Sequence, residues 1–114
     1  MRHLTRTLTA LSLVAALGCG SSTSPTTNGG AQVQVGDNFF SPASLTVTAG
    51  TSGAKVTWTW VGSASHSVTF DNSGPASNVQ SSGTFTHTFT TPGTYTYFCT
   101  VHGRAVMSGT LIVQ

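Results

Sequence analysis

Short segments of alternating polar and apolar residues, separated by turn residues, follow one another from residue 32 to residue 113. β-Branched and aromatic residues dominate these segments, whereas Gly, Pro, Asn and Ser dominate the stretches between them. No stretch of this region has the period of an amphipathic helix. The predicted strands cover residues 32–35, 45–47, 56–60, 67–70, 85–89, 95–97 and 110–113. This pattern predicts an all-β fold, a Greek-key β-sandwich or barrel of about seven to eight strands.

Residues 1–18 have the features of a secretory signal peptide. Arg2 and Arg6 give a positively charged start, and residues 8–17 form an apolar run that is too short to span a membrane. The run leads to Gly18-Cys19, and a small residue before Cys is typical of the cleavage site of prokaryotic lipoproteins. We therefore predict cleavage before Cys19 and lipidation of that residue. The alternative is ordinary signal cleavage that leaves Cys19 as a free thiol.

The segment that follows the signal peptide differs in composition from the rest of the chain. Apart from the cysteine, residues 19–30 are Ser, Thr, Pro, Asn and Gly, so they cannot build a core. We expect a flexible tether here, followed by one folded domain over residues 31–114. The predicted protein is thus an exported lipoprotein that faces the periplasm or the cell exterior and contacts the membrane through its lipid anchor on Cys19.

The predicted domain is almost uncharged. The whole chain has four Lys and Arg residues and two Asp and Glu residues, which gives a formal net charge of +2. Two of the arginines would leave with the signal peptide, and Lys55 and Arg104 would then balance Asp37 and Asp71. A domain without net charge lacks the basic surface that nucleic-acid binding requires, so we predict no nucleic-acid partner.

A cysteine, a histidine and a methionine lie close together before the last predicted strand. Cys99, His102 and Met107 have the spacing Cys-x2-His-x4-Met, and His66 precedes an earlier strand. One thiolate, two imidazoles and a weakly bound thioether are the donor set of a blue-copper centre. Because loops at one end of a sandwich can meet, these four residues predict one copper site. No coordination position would remain open, so the site would transfer electrons and the protein would not be an enzyme.

Two other residues compete for these roles. His87 alternates with Phe85 and Phe89 in a predicted strand, away from the loops, and is interpreted as a packing residue. A disulfide between Cys19 and Cys99 would consume the thiolate of the metal site. Separate roles in lipidation and in copper binding are therefore favoured for the two cysteines.

The segments around these ligands resemble a known family, the small cupredoxins of the plastocyanin, amicyanin and halocyanin type. The resemblance covers roughly residues 31–114 and is carried by the run from Pro92 to Cys99, Pro-Gly-Thr-Tyr-Thr-Tyr-Phe-Cys. The opening segment at residues 35–47 and the strand that contains Trp58 also fit. The resemblance implies a type 1 copper protein that carries single electrons between redox partner proteins. We expect it to act as a monomer, with His102 as the electron port.

This chain departs from the family pattern near the site. Trp60 stands where members carry an Asn that braces the Cys loop, so this brace must be absent or made differently. Phe98 replaces the Tyr that precedes the Cys in many plastocyanins, and Val101 replaces the usual Pro between Cys and His. The resemblance also implies a docking patch around His102. The candidates for this patch are Phe39, Phe40, Ala64, Ala105 and Val106, and the alternative for these residues is ordinary loop packing.

Two other functions fit parts of the pattern. A periplasmic protein that binds or delivers copper without carrying electrons would use similar donors. Such proteins tend to have Met- and His-rich surfaces, whereas this chain has only Met1 and Met107. A structural sandwich that retains the motif incidentally would stay colourless with Cu(II). Copper-exchange rates and a visible spectrum separate these alternatives.

Overall fold

The computed structural model describes residues 30–114, which form two four-stranded β-sheets. The strands are β1 (Ala31–Gly36), β2 (Phe39–Ser41), β3 (Ser44–Val47), β4 (Ala54–Trp60), β5 (Thr69–Phe70), β6 (Thr84–Phe89), β7 (Gly93–Phe98) and β8 (Ser108–Val113). One sheet has the order β2-β1-β4-β6 and the other the order β3-β8-β7-β5. The predicted all-β fold of seven to eight strands is confirmed. The predicted signal peptide, the lipidation site Cys19 and the tether before Gly30 lie outside the described residues.

Side-chain alternation directs one face of each sheet into a shared core. In β4 every second residue from Ala54 to Trp60 is buried. Trp58 is fully buried, and the centroids of its ring and those of Phe70 and Tyr97 in the opposite sheet are 5.6 and 5.7 Å apart. These aromatic contacts between the sheets make the domain a sandwich. No helix in residues 30–114 has the length and apolar character needed to cross a membrane.

The strand directions determine which loops meet at one end of the sandwich. β1 is parallel to β4, and β3 is parallel to β8, whereas the other ladders are antiparallel. Because β1 and β4 run the same way, Asp37 after β1 and the loop 61–66 after β4 leave the sheet at the same end. Cys99 follows the last residue of β7 and lies at this end too.

Two strands differ from the prediction. β2 is too short, with three residues, to give an alternation signal. The predicted strand at residues 67–70 is shortened to its last two residues. The reason is that two of its N–H groups bond to side chains instead of a neighbouring strand. The Ser67 N–H faces Sγ of Cys99 at 3.4 Å, and the Val68 N–H donates to Oγ of Ser77 at 2.8 Å.

Candidate metal centre

Three of the four predicted ligands come together where these loops meet. The metal-binding atoms of His66, Cys99 and His102 all lie within 4.8 Å of one another. Nδ1 of His66 is 3.8 Å from Sγ of Cys99, and Nδ1 of His102 is 3.6 Å from it. Each imidazole therefore turns the same ring nitrogen towards the sulfur. A thiolate with two imidazoles around one point is a donor set that suits copper.

Met107, the fourth predicted ligand, is held next to this group by its backbone. The Cys99 N–H donates to the Met107 carbonyl at 3.0 Å, and the Met107 N–H donates to the Gly103 carbonyl at 3.0 Å. The Met107 side chain is buried, with 1% of its surface exposed. Gly103 has a φ of +80°, in the left-handed region that favours glycine, and this lets the loop turn back on itself. The loop thus returns the methionine to the cysteine.

The two histidines differ in their exposure to solvent. His66 and Cys99 are completely buried, whereas His102 is partly exposed. The ring centroids of the two histidines are 4.8 Å apart, with a tilt of 36° between the planes. His102 is therefore the imidazole through which the group reaches the surface.

The environment of Cys99 favours the thiolate. Burial acts to raise the pKa of its thiol, but the N–H of Ser67 and the ring and backbone of His102 outweigh this effect. Together these groups lower the pKa of Cys99 to about 6. At neutral pH the sulfur is thus ionised before any metal arrives, which is the form that binds a metal.

The Cys loop is braced by Ser67 and not by the residue at position 60. Oγ of Ser67 accepts a hydrogen bond from the Thr100 N–H at 3.0 Å and lies 2.9 Å from the Thr100 hydroxyl. Trp60 instead donates its indole N–H to the His66 carbonyl at 3.2 Å, so that it supports the other ligand segment. In this structure Ser67 makes the contact that braces the Cys loop, and Trp60 contacts the segment of His66.

Arg104 fastens the outer side of the ligand loop to the sandwich. Its guanidinium donates two hydrogen bonds to the carboxylate of Asp71, one of them at 2.8 Å, and lies 4.3 Å from the ring centroid of Phe98. Arg104 and the hydroxyl of Thr96 hold the pKa of Asp71 below its ordinary value. The loop between Cys99 and Met107 is therefore fixed from inside and outside.

Asp37 is a partner of His66 that sequence analysis missed. Its Oδ1 lies 3.0 Å from Nε2 of His66, on the opposite side of the ring from Cys99. Since a carboxylate only accepts hydrogen bonds, Nε2 carries the hydrogen and Nδ1 is left free for a metal. Hydrogen bonds to the carboxylate hold the pKa of Asp37 well below its usual range. The largest effect comes from the N–H of Ala64, followed by the ring of His66 and by Ser63. The available signal was the scarcity of acids, because the chain has only two.

His87 lies outside this group. It is in β6, opposite Val56 of β4, and packs edge-on against the ring of Phe89 with 4.7 Å between centroids. This environment agrees with the interpretation of His87 as a packing residue.

Exposed apolar side chains lie on the loops at the site end. Val101 and Val106 flank His102 in the ligand segment and are 52% and 60% exposed, and Phe39 in β2 is 47% exposed. Phe40, which was expected in the same surface, is buried instead. The alternation in β2 turns it into the core, where its ring centroid is 4.8 Å from that of Tyr97.

Comparison with known proteins identifies the family. Residues 9–113 match the family model described as Cupredoxin-like domain. The chain is 37% identical over 105 residues to plastocyanin from Dryopteris crassirhizoma, with 74% of this chain and 100% of the plastocyanin covered.

Solved structures agree with this relationship. Oxidized plastocyanin from Dryopteris crassirhizoma has a TM-score of 0.63 at 35% identity, covering 74% of this chain and 100% of that chain. An oxidized variant of amicyanin has a TM-score of 0.62 at 26% identity, covering 78% of this chain and 86% of that chain. These relatives are not enzymes, in agreement with the prediction for this chain. The protein therefore belongs to the cupredoxin family of small blue copper proteins, and its cofactor is copper.

Proposed function

We propose that this protein carries single electrons between redox partner proteins in the cell envelope, with one copper ion bound by His66, Cys99, His102 and Met107. The observation that supports this most strongly is the orientation of the two histidines, whose Nδ1 atoms face Sγ of Cys99 at 3.8 and 3.6 Å. Copper, when bound, supplies the change between Cu(I) and Cu(II).

The residues around the site restrict movement of the ligands. The backbone of His66 exchanges two hydrogen bonds with Gln80, at 2.9 and 3.0 Å, and its carbonyl accepts the Trp60 N–H. The hydrogen bonds of Ser67 and Arg104 hold the cysteine loop in the same way. A ligand set held by the protein changes little between two charge states of the metal, so electron transfer requires little rearrangement.

His102 is the proposed electron port. It is the more exposed of the two histidines, and the exposed side chains of Phe39 at the start of β2 and of Ala64, Ala105 and Val106 on the loops lie at the same end. A partner that docks on this uncharged surface would bring its own redox centre close to the imidazole. Because charges are few, we propose that association depends more on apolar contact than on electrostatic steering.

We also propose a location for the protein in the cell. Residues 1–18 would direct export, cleavage would precede Cys19, and a lipid on Cys19 would anchor the protein through the tether 19–30. The names of the relatives, plastocyanin and amicyanin, are compatible with an exported carrier. We further propose that the protein acts as a monomer.

A visible spectrum and a redox titration of the purified protein test the function. We expect an intense absorption band with Cu(II), arising from charge transfer from the Cys99 thiolate, and a reversible one-electron couple. Cys99→Ser should abolish the band, whereas Cys19→Ser, the matched control at the other cysteine, should retain it. A band that survives Cys99→Ser would contradict the ligand assignment.

Copper exchange separates the carrier from the delivery alternative. The buried position of Cys99 and Met107 predicts slow loss of copper to an external chelator. Rapid exchange, together with the absence of a reversible couple, would favour a protein that delivers copper.

A further inference from the structure

Asp37 lies in the two-residue turn between β1 and β2, beside the loop that leads to His66. Its Oδ1 accepts hydrogen bonds from the N–H of Ala64 at 2.9 Å and of Ser63 at 3.1 Å. Its Oδ2 accepts from the Ser63 N–H at 3.1 Å and from the Ser63 hydroxyl at 3.0 Å. The loop closes so tightly on the carboxylate that a Cβ at Gly62 would lie 2.8 Å from the Asp37 backbone nitrogen. The carboxylate is therefore fixed by its surroundings.

The same carboxylate contacts the buried histidine of the site. Oδ1 of Asp37 is 3.0 Å from Nε2 of His66, whose side chain is 0% exposed, while the aspartate is 44% exposed. The other ring nitrogen of His66 faces Cys99. The imidazole is thus fixed at Nε2 by the carboxylate, and its free Nδ1 faces the metal-binding sulfur.

Of the two histidines of the site, His66 alone has a carboxylate partner in the described domain. The chain has only two acidic residues, Asp37 and Asp71, and Asp71 bonds to Arg104 and Thr96. No second carboxylate is therefore left in the described domain to pair with His102. The carboxylate of Asp37 therefore contacts one of the two imidazoles only.

We propose that Asp37 is a positioning residue for the copper ligand His66 and that its charge lowers the reduction potential of the site. This inference rests on the proposed function, because it requires His66 to bind copper through Nδ1. A carboxylate that accepts the Nε2 hydrogen fixes the tautomer and the ring orientation, and it makes the imidazole a stronger donor. A stronger donor stabilises Cu(II) more than Cu(I), and the potential falls.

Asp37→Asn tests this inference in the purified protein. The amide has the size of the carboxylate and keeps a carbonyl oxygen for the N–H groups of Ser63 and Ala64, but it has no charge. Loss of such an outer partner reduces metal affinity by about 10–100-fold. We expect the affinity for Cu(II) to fall more than the affinity for Cu(I). Each tenfold difference between these two decreases raises the potential by about 59 mV.

Asp71→Asn is the matched control. It removes the same charge from the domain, and its amide oxygen still accepts a hydrogen bond from Arg104, so that the ligand loop stays fastened, while the side chain contacts no imidazole of the site. We expect its potential to move much less than that of Asp37→Asn. An equal rise in both variants would mean a general charge effect and would overturn the proposal.

Imidazole NMR of the reduced protein gives a readout that does not depend on electron transfer. We expect the Nε2 resonance of His66 to shift in Asp37→Asn, while the resonances of His102 serve as an internal reference. Ser63→Ala removes one hydrogen bond to Asp37 and leaves its contact with His66, so it should lower thermal stability with little change in potential. An unchanged Nε2 resonance and potential in Asp37→Asn would refute the inference.

Different results would contradict the proposed function and the proposed role of Asp37. If the wild-type protein has no blue band, the proposed function is wrong. If the wild type is blue and His66→Ala is colourless, but Asp37→Asn retains the wild-type potential and resonance, the function stands and the role of Asp37 is wrong.

Discussion

The phenol of Tyr97 leads to a prediction about stability. Its hydroxyl and the indole nitrogen of Trp58 are buried and have no hydrogen-bond partner in the described part of the chain. Burial raises the pKa of Tyr97, and the Trp58 N–H acts in the opposite direction, yet no hydrogen bond of normal geometry joins the two groups. The ring lies against Gly109, where an added Cβ would be 2.5 Å from the hydroxyl oxygen. We expect Tyr97→Phe to stabilise the fold.

The magnitude follows from the cost of a buried polar group without a partner. Such a group costs about 1–3 kcal/mol, and the small void left by one oxygen offsets part of the gain. We therefore expect a net stabilisation of about 1 kcal/mol. For a domain of this size, that corresponds to an increase in Tm of about 4–8 °C.

Tyr95→Phe is the matched control, two residues away in the same strand. The Tyr95 hydroxyl donates to the Thr91 carbonyl at 2.6 Å, so its removal should destabilise by about 0.5–1.5 kcal/mol. Thermal unfolding of both variants, with copper and without it, provides the measurement. A fall in Tm for Tyr97→Phe as large as that for Tyr95→Phe would refute the reasoning, because it would mean that the Tyr97 hydroxyl is paired, for example with Trp58.

Further predictions concern the ligands, the anchor and pH. Met107→Leu should keep the blue band and raise the potential, because the thioether of Met107 would donate electron density that stabilises Cu(II); absorption spectra and redox titration check this. His66→Ala should disrupt the site and His87→Ala should leave the spectrum unchanged; the reverse result would contradict the choice of histidine. Cys19→Ala should release the protein from membranes or block its maturation, and unchanged detergent partitioning would contradict a lipid anchor. The pKa of Cys99 is lowered to about 6 in the folded metal-free protein. The stability that the Cys99 thiolate contributes is therefore complete above the unfolded pKa near 9 and is lost as pH falls through 6. The Tm of the metal-free protein, measured from pH 9 to pH 5, should show this decline, and the Tm of Cys99→Ser should lack it.

The sequence predicts the architecture and the ligand loop well because these depend on local patterns. Strand alternation extends over several residues in β4 and β8, and the spacing of Cys99, His102 and Met107 lies within one loop. His66 is far from them in sequence, and its prediction depends on excluding His3, in the signal peptide, and His87, in a strand, and on the family resemblance.

The features that the sequence did not predict depend on contacts between distant segments. Asp37 is separated from His66 by 29 positions, and nothing in its neighbourhood indicates that a turn after β1 will close on the loop after β4. The brace at Ser67 was missed for the same reason, since it joins residues 33 positions apart. Only the parallel pairing of β1 with β4 brings Asp37 to the site, and parallel pairing leaves no signature in such short strands.

That parallel pairing also gives the domain a polarity. Ala31 pairs with Val56 and Val35 with Trp60, so β1 enters the sandwich at the pole opposite the metal site and travels towards it. Five residues of strand separate the two poles by about 17 Å. A lipid on Cys19, with a tether that adds a root-mean-square reach of about 17–20 Å, would hold the protein by its far pole. The copper would then face away from the membrane, towards partners that project from the lipid surface or approach from the aqueous side.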